Sequence, residues 1–426
     1  MKKHLIKVHR NLSNDDYKKI WKEAIFIFDS NVLLDLYRLP ESAKNDLVAV
    51  LKNKDFNSRI WIGFQVLIEF LNNRLTIIGE QKNMFSKVVN MTTNHVEKIK
   101  ELNKEYIHEI NKLNLNQRHS TISPDGFISE KKIKKSIKVF DRFVSHLNEK
   151  EKNHNDVNDK DEIKELILNI FNDKIGGNFN NDDLLKIEEE GKQRYLAEIP
   201  PGYKDHKKEG FHFVHNQKYQ RKYGDLFLWK EIINHTNNNK FKYIVLVTGD
   251  VKEDWWEEKR GRKIGPRKEL LNEIYTCCED LDVFHMYNTS TFLQYAKLEI
   301  DSEIKDSSIE DARKLININN KSENHKMEVL KTQEQLSYAN KKIEELNKEL
   351  EYTEVELRNT KNYRSKLYNN GTADDVRDYA HNLAYVQSDL EENISLLMKK
   401  ISSLHHYKSD KESKLNFYLK EIQSGE

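Results

Sequence analysis

The stretch Phe241 to Trp256, FKYIVLVTGDVKEDWW, decides the fold. Tyr243 to Val247 is aromatic, β-branched or aliphatic at every position, without the polar alternation of a half-exposed strand. Such a run reads as a strand buried on both faces, the habit of a parallel sheet covered by helices. It ends in Thr248-Gly249-Asp250, and Asp254 follows one helical turn later. Asp250 therefore stands at the carboxyl end of a strand, the edge where open α/β sheets bind ligands. Ala24 to Phe28 repeats the pattern and runs into Asp29-Ser30-Asn31. Two strands thus deliver two aspartates to one edge.

Working outward, Arg59 to Gly63 and Asp282 to Tyr287 supply further short strands. Phe64 to Arg74, FQVLIEFLNNR, is a helix whose Gln65, Glu69, Asn72 and Asn73 form one polar stripe. Glu69 is either a solvated surface residue or a carboxylate aimed into a cleft beside the strand ends. Gly224-Asp225 opens an apolar helix, where an aspartate alone reads as an ordinary first-turn or capping residue. Four helical patterns lie between them: Met84 to Leu115, Ser129 to Asn148, Asp161 to Asp173 and Asp182 to Ala197. Polar breaks such as Ser123-Pro124-Asp125-Gly126 separate them, and Ile199 to Asp205, IPPGYKD, is an irregular loop back to the sheet. The expected fold is α/β: a Rossmann-like parallel sheet over residues 1–300, with a long all-helical insertion at about 80–198.

Beyond Asp301 no proline occurs and no glycine until Gly371. Val329, Leu336, Ile343, Leu350 and Leu357 recur every seven residues, and Val376, Leu383, Leu390, Leu397 and Leu404 form a second series. Residues 301–426 therefore read as a helical coiled coil. The break at Gly371-Thr372 allows an antiparallel hairpin, or both arms continue into a dimer. The role expected of this region is homo-oligomerisation or binding of a protein partner.

The totals narrow the class. In 426 residues, 33% are charged and 37% hydrophobic, too polar for one compact globule and consistent with long solvated helices. A net charge of +1 gives no bulk attraction for nucleic acid, so any such surface must be local. Cys277 and Cys278 are the two cysteines, and adjacent cysteines make no disulfide scaffold. No apolar run has signal-peptide or membrane length, so the expectation is a soluble cytoplasmic protein without membrane contact.

Asp29, Glu69, Asp225, Asp250 and Asp254 are the carboxylates that the pattern brings toward one edge. Two carboxylates at about 4 Å repel by about 4 kcal/mol at an effective dielectric of about 20, so the cluster needs cations to stay ionised. Oxygen-only ligands favour Mg²⁺ or Mn²⁺, and no His/Cys spacing suggests zinc. Carboxylates that leave water on the metal suit phosphoryl chemistry. Lys259, Arg260, Arg262, Lys263 and Arg267 form a basic loop just beyond, placed either to hold backbone phosphates or as a solvated surface. Trp255 and Trp256 read as packing residues, with base stacking as the alternative.

The order of FIFDSNVLLDLY, QVLIEFLNNR, PPGYKD, YGDLFLW and VTGDVKEDWW resembles the PIN-domain nucleases, in particular a bacterial PIN-like subgroup with a helical insertion. The resemblance covers roughly Phe26 to Leu298 and leaves the coiled coil outside. It implies metal-dependent hydrolysis of a phosphodiester, RNA more often than DNA, giving a 5′-phosphate and a 3′-hydroxyl. By position, Asp29, Glu69, Asp225 and Asp250 correspond to the acids of the family's site, and Asp254 to a supplementary acid. Asn31 would orient a ligand water, while Lys204 and Asp205 lie in the subgroup's loop. Members act as toxins or in defence against phage. Two rivals stand beside it. Gly249 to Asp254 also fits the GDxxxD motif of haloacid-dehalogenase-type phosphatases, although Asn31 occupies the place of their general acid. The other rival is a non-catalytic nucleic-acid-binding or scaffold protein assembled by its coiled coil.

Overall fold

The structure is a computed structural model that describes residues 2–114, 128–260, 262–300, 303–370 and 374–425. The Ser123-Pro124-Asp125-Gly126 and Gly371-Thr372 breaks, Gly261 of the basic loop and the side chain of Val376 lie outside the described residues. Two compact units divide the chain, Met1–Ile316 and Asn317–Glu426.

In the first unit, α1 (Lys2–His9) and α2 (Asn14–Glu23) precede β1 (Ile25–Phe28), and α3 (Ser30–Leu34), α4 (Glu41–Lys52) and α5 (Lys54–Asn57) lead to β2 (Ile60–Trp61). Helices α6 (Phe64–Lys112), α7 (Glu130–Lys152), α8 (Glu162–Ile170) and α9 (Asn181–Leu196) follow. Then come the strand pair β3 (Phe211–Val214) and β4 (Gln217–Gln220), α10 (Gly224–Asn239) and β5 (Tyr243–Val247). The pair β6 (Trp256–Lys259) and β7 (Arg262–Pro266), α11 (Lys268–Cys277), β8 (Val283–Tyr287) and α12 (Thr289–Glu299) complete the sheet region. The central sheet is wholly parallel in the order β2-β1-β5-β8. The chain leaves β1 toward β2 and returns on the other side of β1 as β5. That reversal puts the topological switch point between β1 and β5, and the crevice beyond their carboxyl ends is where such sheets bind ligands.

The buried-strand reading holds because both faces of the sheet are covered. Phe26, Ile27 and Phe28 of β1 and Ile244 to Val247 of β5 are fully buried. Trp21 of α2, Phe56 of α5 and Phe292 of α12 pack their rings against Phe26. Full burial of each such side chain contributes about 1.5–3 kcal/mol.

Two features differ from the sequence expectation. The helix that starts at Phe64 does not stop before the insertion but continues for 49 residues to Lys112. Gly79 lies inside it, and a glycine costs a helix interior only about 1 kcal/mol, too little to break a run without proline. The basic segment belongs to an antiparallel strand pair, 256–266, rather than an open loop, and residues 211–220 form a second such pair. His215 and Asn216 take φ of 50° and 60°, the left-handed pair that a tight hairpin turn requires. The HN dipeptide was a weak cue, lacking the usual glycine.

The insertion is fastened back by buried polar networks. Arg194 of α9 makes a fork of 2.9 and 2.8 Å bonds to the two carboxylate oxygens of Glu273 on α11, which also accepts from Trp229 and Lys230 of α10. Burial alone would raise the Glu273 carboxyl, but Arg194 and Lys230 outweigh it and hold it down to about 2. Replacing Arg194 by methionine should therefore cost about 3 kcal/mol, read as a fall in the urea midpoint, because a half-broken buried network leaves an undercompensated charge. At the other end of the insertion Asp161 caps α8, receives Tyr37 and pairs with Arg74 at 3.1 Å.

The second unit consists of α14 (Asp374–Gly425) and most of α13 (Asp306–Asn370), lying antiparallel. Lys321 meets Glu421, and Lys361 meets Glu391. Val329, Thr332, Ala339, Ile343, Leu346 and Thr353 are buried along α13, the heptad seam, with Ala380 and Leu397 on α14. No helix among the described residues is long and apolar enough to cross a membrane.

Candidate active site

Asp29 is the residue after β1 and the cap of α3, and its own backbone N–H donates to Val247 of β5 at 3.0 Å. The carboxylate is nearly enclosed, 8% exposed. Its Oδ1 accepts from the Ser30 backbone at 2.6 Å, and its Oδ2 from Asn31 Nδ2 and Thr248 Oγ1, each at 2.7 Å. Thr248 in turn accepts from the Asp250 N–H at 2.9 Å. The amide oxygen of Asn31 accepts from Gly249 N at 2.6 Å. Asn31 and Thr248 thus staple the ends of β1 and β5 together and fix Asp29 against Asp250.

Two residues of the polar stripe of α6, Gln65 and Glu69, face this point, whereas Asn72 is exposed and donates to the Ile68 carbonyl of its own helix. Glu69 Oε2 accepts from Ser30 Oγ at 2.7 Å, and the same hydroxyl lies 3.3 Å from Asp29 Oδ1. Gln65 Nε2 donates to Glu69 Oε1 at 2.8 Å. A Cβ placed on Gly224 would lie 2.5 Å from Glu69 Oε1, so the start of α10 touches Glu69 because residue 224 has no side chain. Gly224→Ala improves helix propensity and meets only the end of a flexible side chain. The melting temperature should hardly change, whereas Glu69 must move, and cleavage in the assay below should fall at least tenfold.

Asp225 follows on α10 and accepts from the indole of Trp255 at 3.4 Å. Burial first, and then the charges of Asp205 and Asp250, push its carboxyl well above the ordinary range. Burial and the negative charge of Glu69 raise Asp29 to about 6. Asp250 has a different partner: Lys252 Nζ lies 3.4 Å from its Oδ2 and 2.9 Å from Asp205 Oδ1. Lys208 adds a second cation at Asp205, 2.5 Å away. Burial works against ionised Asp205, but the two lysines prevail and hold its carboxyl below the usual range.

Asp254 is fully buried and faces the Pro200-Pro201-Gly202 loop rather than the cleft opening. Its Oδ2 accepts from the N–H groups of Gly202 and Lys204 at 3.1 and 3.3 Å, and its Oδ1 is buried without a hydrogen-bond partner among the described residues. Gly202, at φ 86°, is where this loop needs a left-handed residue. Trp255 and Trp256 are buried, which fits the packing reading. In the basic segment, Lys259 pairs with Glu257 and Arg267 with Glu269, while Lys263 donates to the Val251 carbonyl. Arg260 and Arg262 are exposed.

Sequence reasoning passed over Ser30, Thr248, Asp35, Lys208 and Lys252. Buried Asp35 comes close to the same corner, its Oδ2 lying 3.6 Å from where a Cβ on Gly249 would sit. An acid inside the apolar NVLLDLY run was the available signal. Ser30 and Thr248 carried none, since small hydroxyl residues beside a strand end are ordinary.

The donors suit a hard divalent cation in kind, being oxygens at a point where Asp29 and Glu69 make no ion pair among the described residues. No three acidic, histidine or cysteine side chains among the described residues form a ready-made metal cage.

Comparison with curated proteins gives no match, and comparison with solved structures gives none. The family model described as a PIN like domain matches residues 25–270. PIN-like domains are generally nucleases and typically use divalent metals. The matched span is more than half of the chain and contains β1, β5 and every acid at the switch point, so the chain belongs to the PIN-like domain family.

Proposed function

We propose that this protein is a divalent-metal-dependent endonuclease that hydrolyses phosphodiester bonds, RNA before DNA. The observation that carries the reading is the linkage of Glu69, Ser30, Asp29, Thr248 and Asp250 across the switch point of a PIN-like sheet. Asp29, Glu69, Asp225 and Asp250 would hold Mg²⁺ or Mn²⁺, with Asp254 behind them. Bound there, a divalent cation lowers the pKa of water and stabilises charge on phosphoryl oxygens.

The chain's own groups divide the work. Ser30 and Thr248 orient the two oxygens of Asp29, and Gln65 orients Glu69, so these ligands need little reorganisation. Lys252 and Lys208 neutralise the Asp205–Asp250 side, leaving the excess negative charge at Asp29 and Glu69. A cation is therefore drawn to that half of the crevice first. Arg260 and Arg262, exposed at the β6–β7 turn, are free to approach backbone phosphates, and Lys259, Lys263 and Arg267 shape the pair that presents them. The paired helices of the second unit serve self-association or docking of a protein that controls cleavage, a setting suited to a toxin or an effector of defence against phage. The phosphatase alternative lacks an acid: Asn31 can return no proton to a leaving group, and its amide is already committed to Asp29 and Gly249.

The test is cleavage of labelled single-stranded RNA, single-stranded DNA and duplex DNA with Mg²⁺, Mn²⁺ or EDTA. RNA fragments that require a divalent cation are expected. Intact nucleic acids together with metal-dependent hydrolysis of a small phosphate ester would move the assignment to a phosphatase.

A further inference from the structure

Besides Lys132, which has a partner of its own, the first half of α7 carries Lys131, Lys134, Lys135, Lys138 and Arg142, with only Glu130 and Asp141 among them. All five are exposed. Lys131, Lys135, Lys138 and Arg142 are spaced i, i+4, i+7, i+11 and lie on one face of the helix, turned away from the seam where Ile137 is buried. Like charges at this spacing repel one another, and cations near a helix start also oppose its dipole. Among the described residues, none of these five cations makes an ion pair or hydrogen bond. The stripe is thus a row of positive charge without ion-pair partners among the described residues, on a chain whose total is nearly neutral.

Its position follows from α6, which is continuous from Glu69 in the crevice to the packing partners of α7. His95 of α6 meets Phe140 of α7 ring to ring at 5.7 Å. From Glu69 to His95 the helix advances 26 residues, about 40 Å at about 1.5 Å per residue. That distance corresponds to about 12 base pairs of duplex at about 3.4 Å each.

We propose that the basic stripe of α7 is a second nucleic-acid contact, which grips the phosphodiester backbone of a long or folded strand about one duplex turn away from the acids. The proposal rests on the nuclease reading for its choice of polyanion. The stripe selects by length and charge, not by base, because lysine and arginine on phosphates read no sequence.

The experiment measures binding by fluorescence anisotropy in EDTA, with the full chain, so cleavage does not enter. Hairpins of 6 and 30 base pairs, in RNA and in DNA, are titrated at salt concentrations from 50 to 200 mM. The variants are the wild type and the fourfold Lys131→Gln, Lys135→Gln, Lys138→Gln, Arg142→Gln. The wild type should prefer the long hairpin at least tenfold, and the fourfold variant should lose that preference. For the long duplex, the slope of log affinity against log salt should drop by about 3–4. The stripe is refuted if the variant keeps the full length preference or the full salt slope. It is equally refuted if anionic lipid vesicles, and not the long hairpins, lose affinity in the variant. Photocrosslinking of a long bromouridine RNA to the wild-type chain gives an independent reading should the variant not fold: peptides from α7 support the proposal, and crosslinks confined to the sheet region overturn it. A chain that cleaves nothing yet shows length-dependent binding lost with the stripe would overturn the nuclease reading alone.

Discussion

Asp29→Asn should lower the rate of metal-dependent cleavage by about 100- to 1000-fold, the range seen when one preorganised electrostatic group is removed. Asparagine keeps the shape of the side chain, so the loss would report charge rather than fold. The same change has a second, opposite signature in the metal-free protein. Burial and Glu69 raise the Asp29 carboxyl to about 6, so the folded chain holds this proton more tightly than the unfolded chain does. That contribution stabilises the fold below about pH 4 and is lost as pH rises through about 6. A shift of about two units corresponds to about 3 kcal/mol. In EDTA, the wild-type melting temperature should therefore fall between pH 4.5 and 7, less steeply in Asp29→Asn. Saturating Mg²⁺ should remove most of the slope, because cation binding to ionised Asp29 replaces the lost term. Melting curves at four pH values, with and without metal, decide the matter.

Asp254→Ala should cost about 2–4 kcal/mol, the largest stability effect expected among the acids. Two buried N–H groups, those of Gly202 and Lys204, would lose their acceptor, at about 1–3 kcal/mol each. Asp254→Asn should recover most of that stability, since an amide oxygen can accept both bonds. Denaturant midpoints of the pair separate the anchoring role from any metal role: a chain restored in stability by asparagine but still poor in cleavage would need the negative charge as well. If alanine melted like the wild type, Asp254 would not be the anchor of the Pro200-Pro201 loop.

Tyr243 to Val247 and Ile25 to Phe28 were legible because burial on both faces leaves an uninterrupted apolar run, and the acids after them were fixed by strand direction. Glu69 was ambiguous until α6 had a position, since a polar stripe does not say whether it faces water or a crevice. The structure aims it at Asp29 through Ser30. Lys252 and Lys208 were not legible, because their importance lies in distances to Asp205 and Asp250 across segments far apart in the chain. The full length of α6 was hidden for a smaller reason: residues 75–83 between the two helical patterns break neither with proline, and Gly79 among them is cheap inside a helix. Heptad spacing in α13 was local and therefore readable.

The proposed activity is cutting of nucleic acid by the carboxylates at the β1–β5 switch point with the help of a divalent cation. The most direct measurement is incubation of the full chain and of Asp29→Asn with end-labelled RNA in Mg²⁺ or Mn²⁺ and in EDTA, followed by analysis of the fragment ends. Fragments with 5′-phosphates are expected from the wild type with metal, and uncut RNA in EDTA and with Asp29→Asn. Equal cutting in EDTA, or by Asp29→Asn, would contradict it.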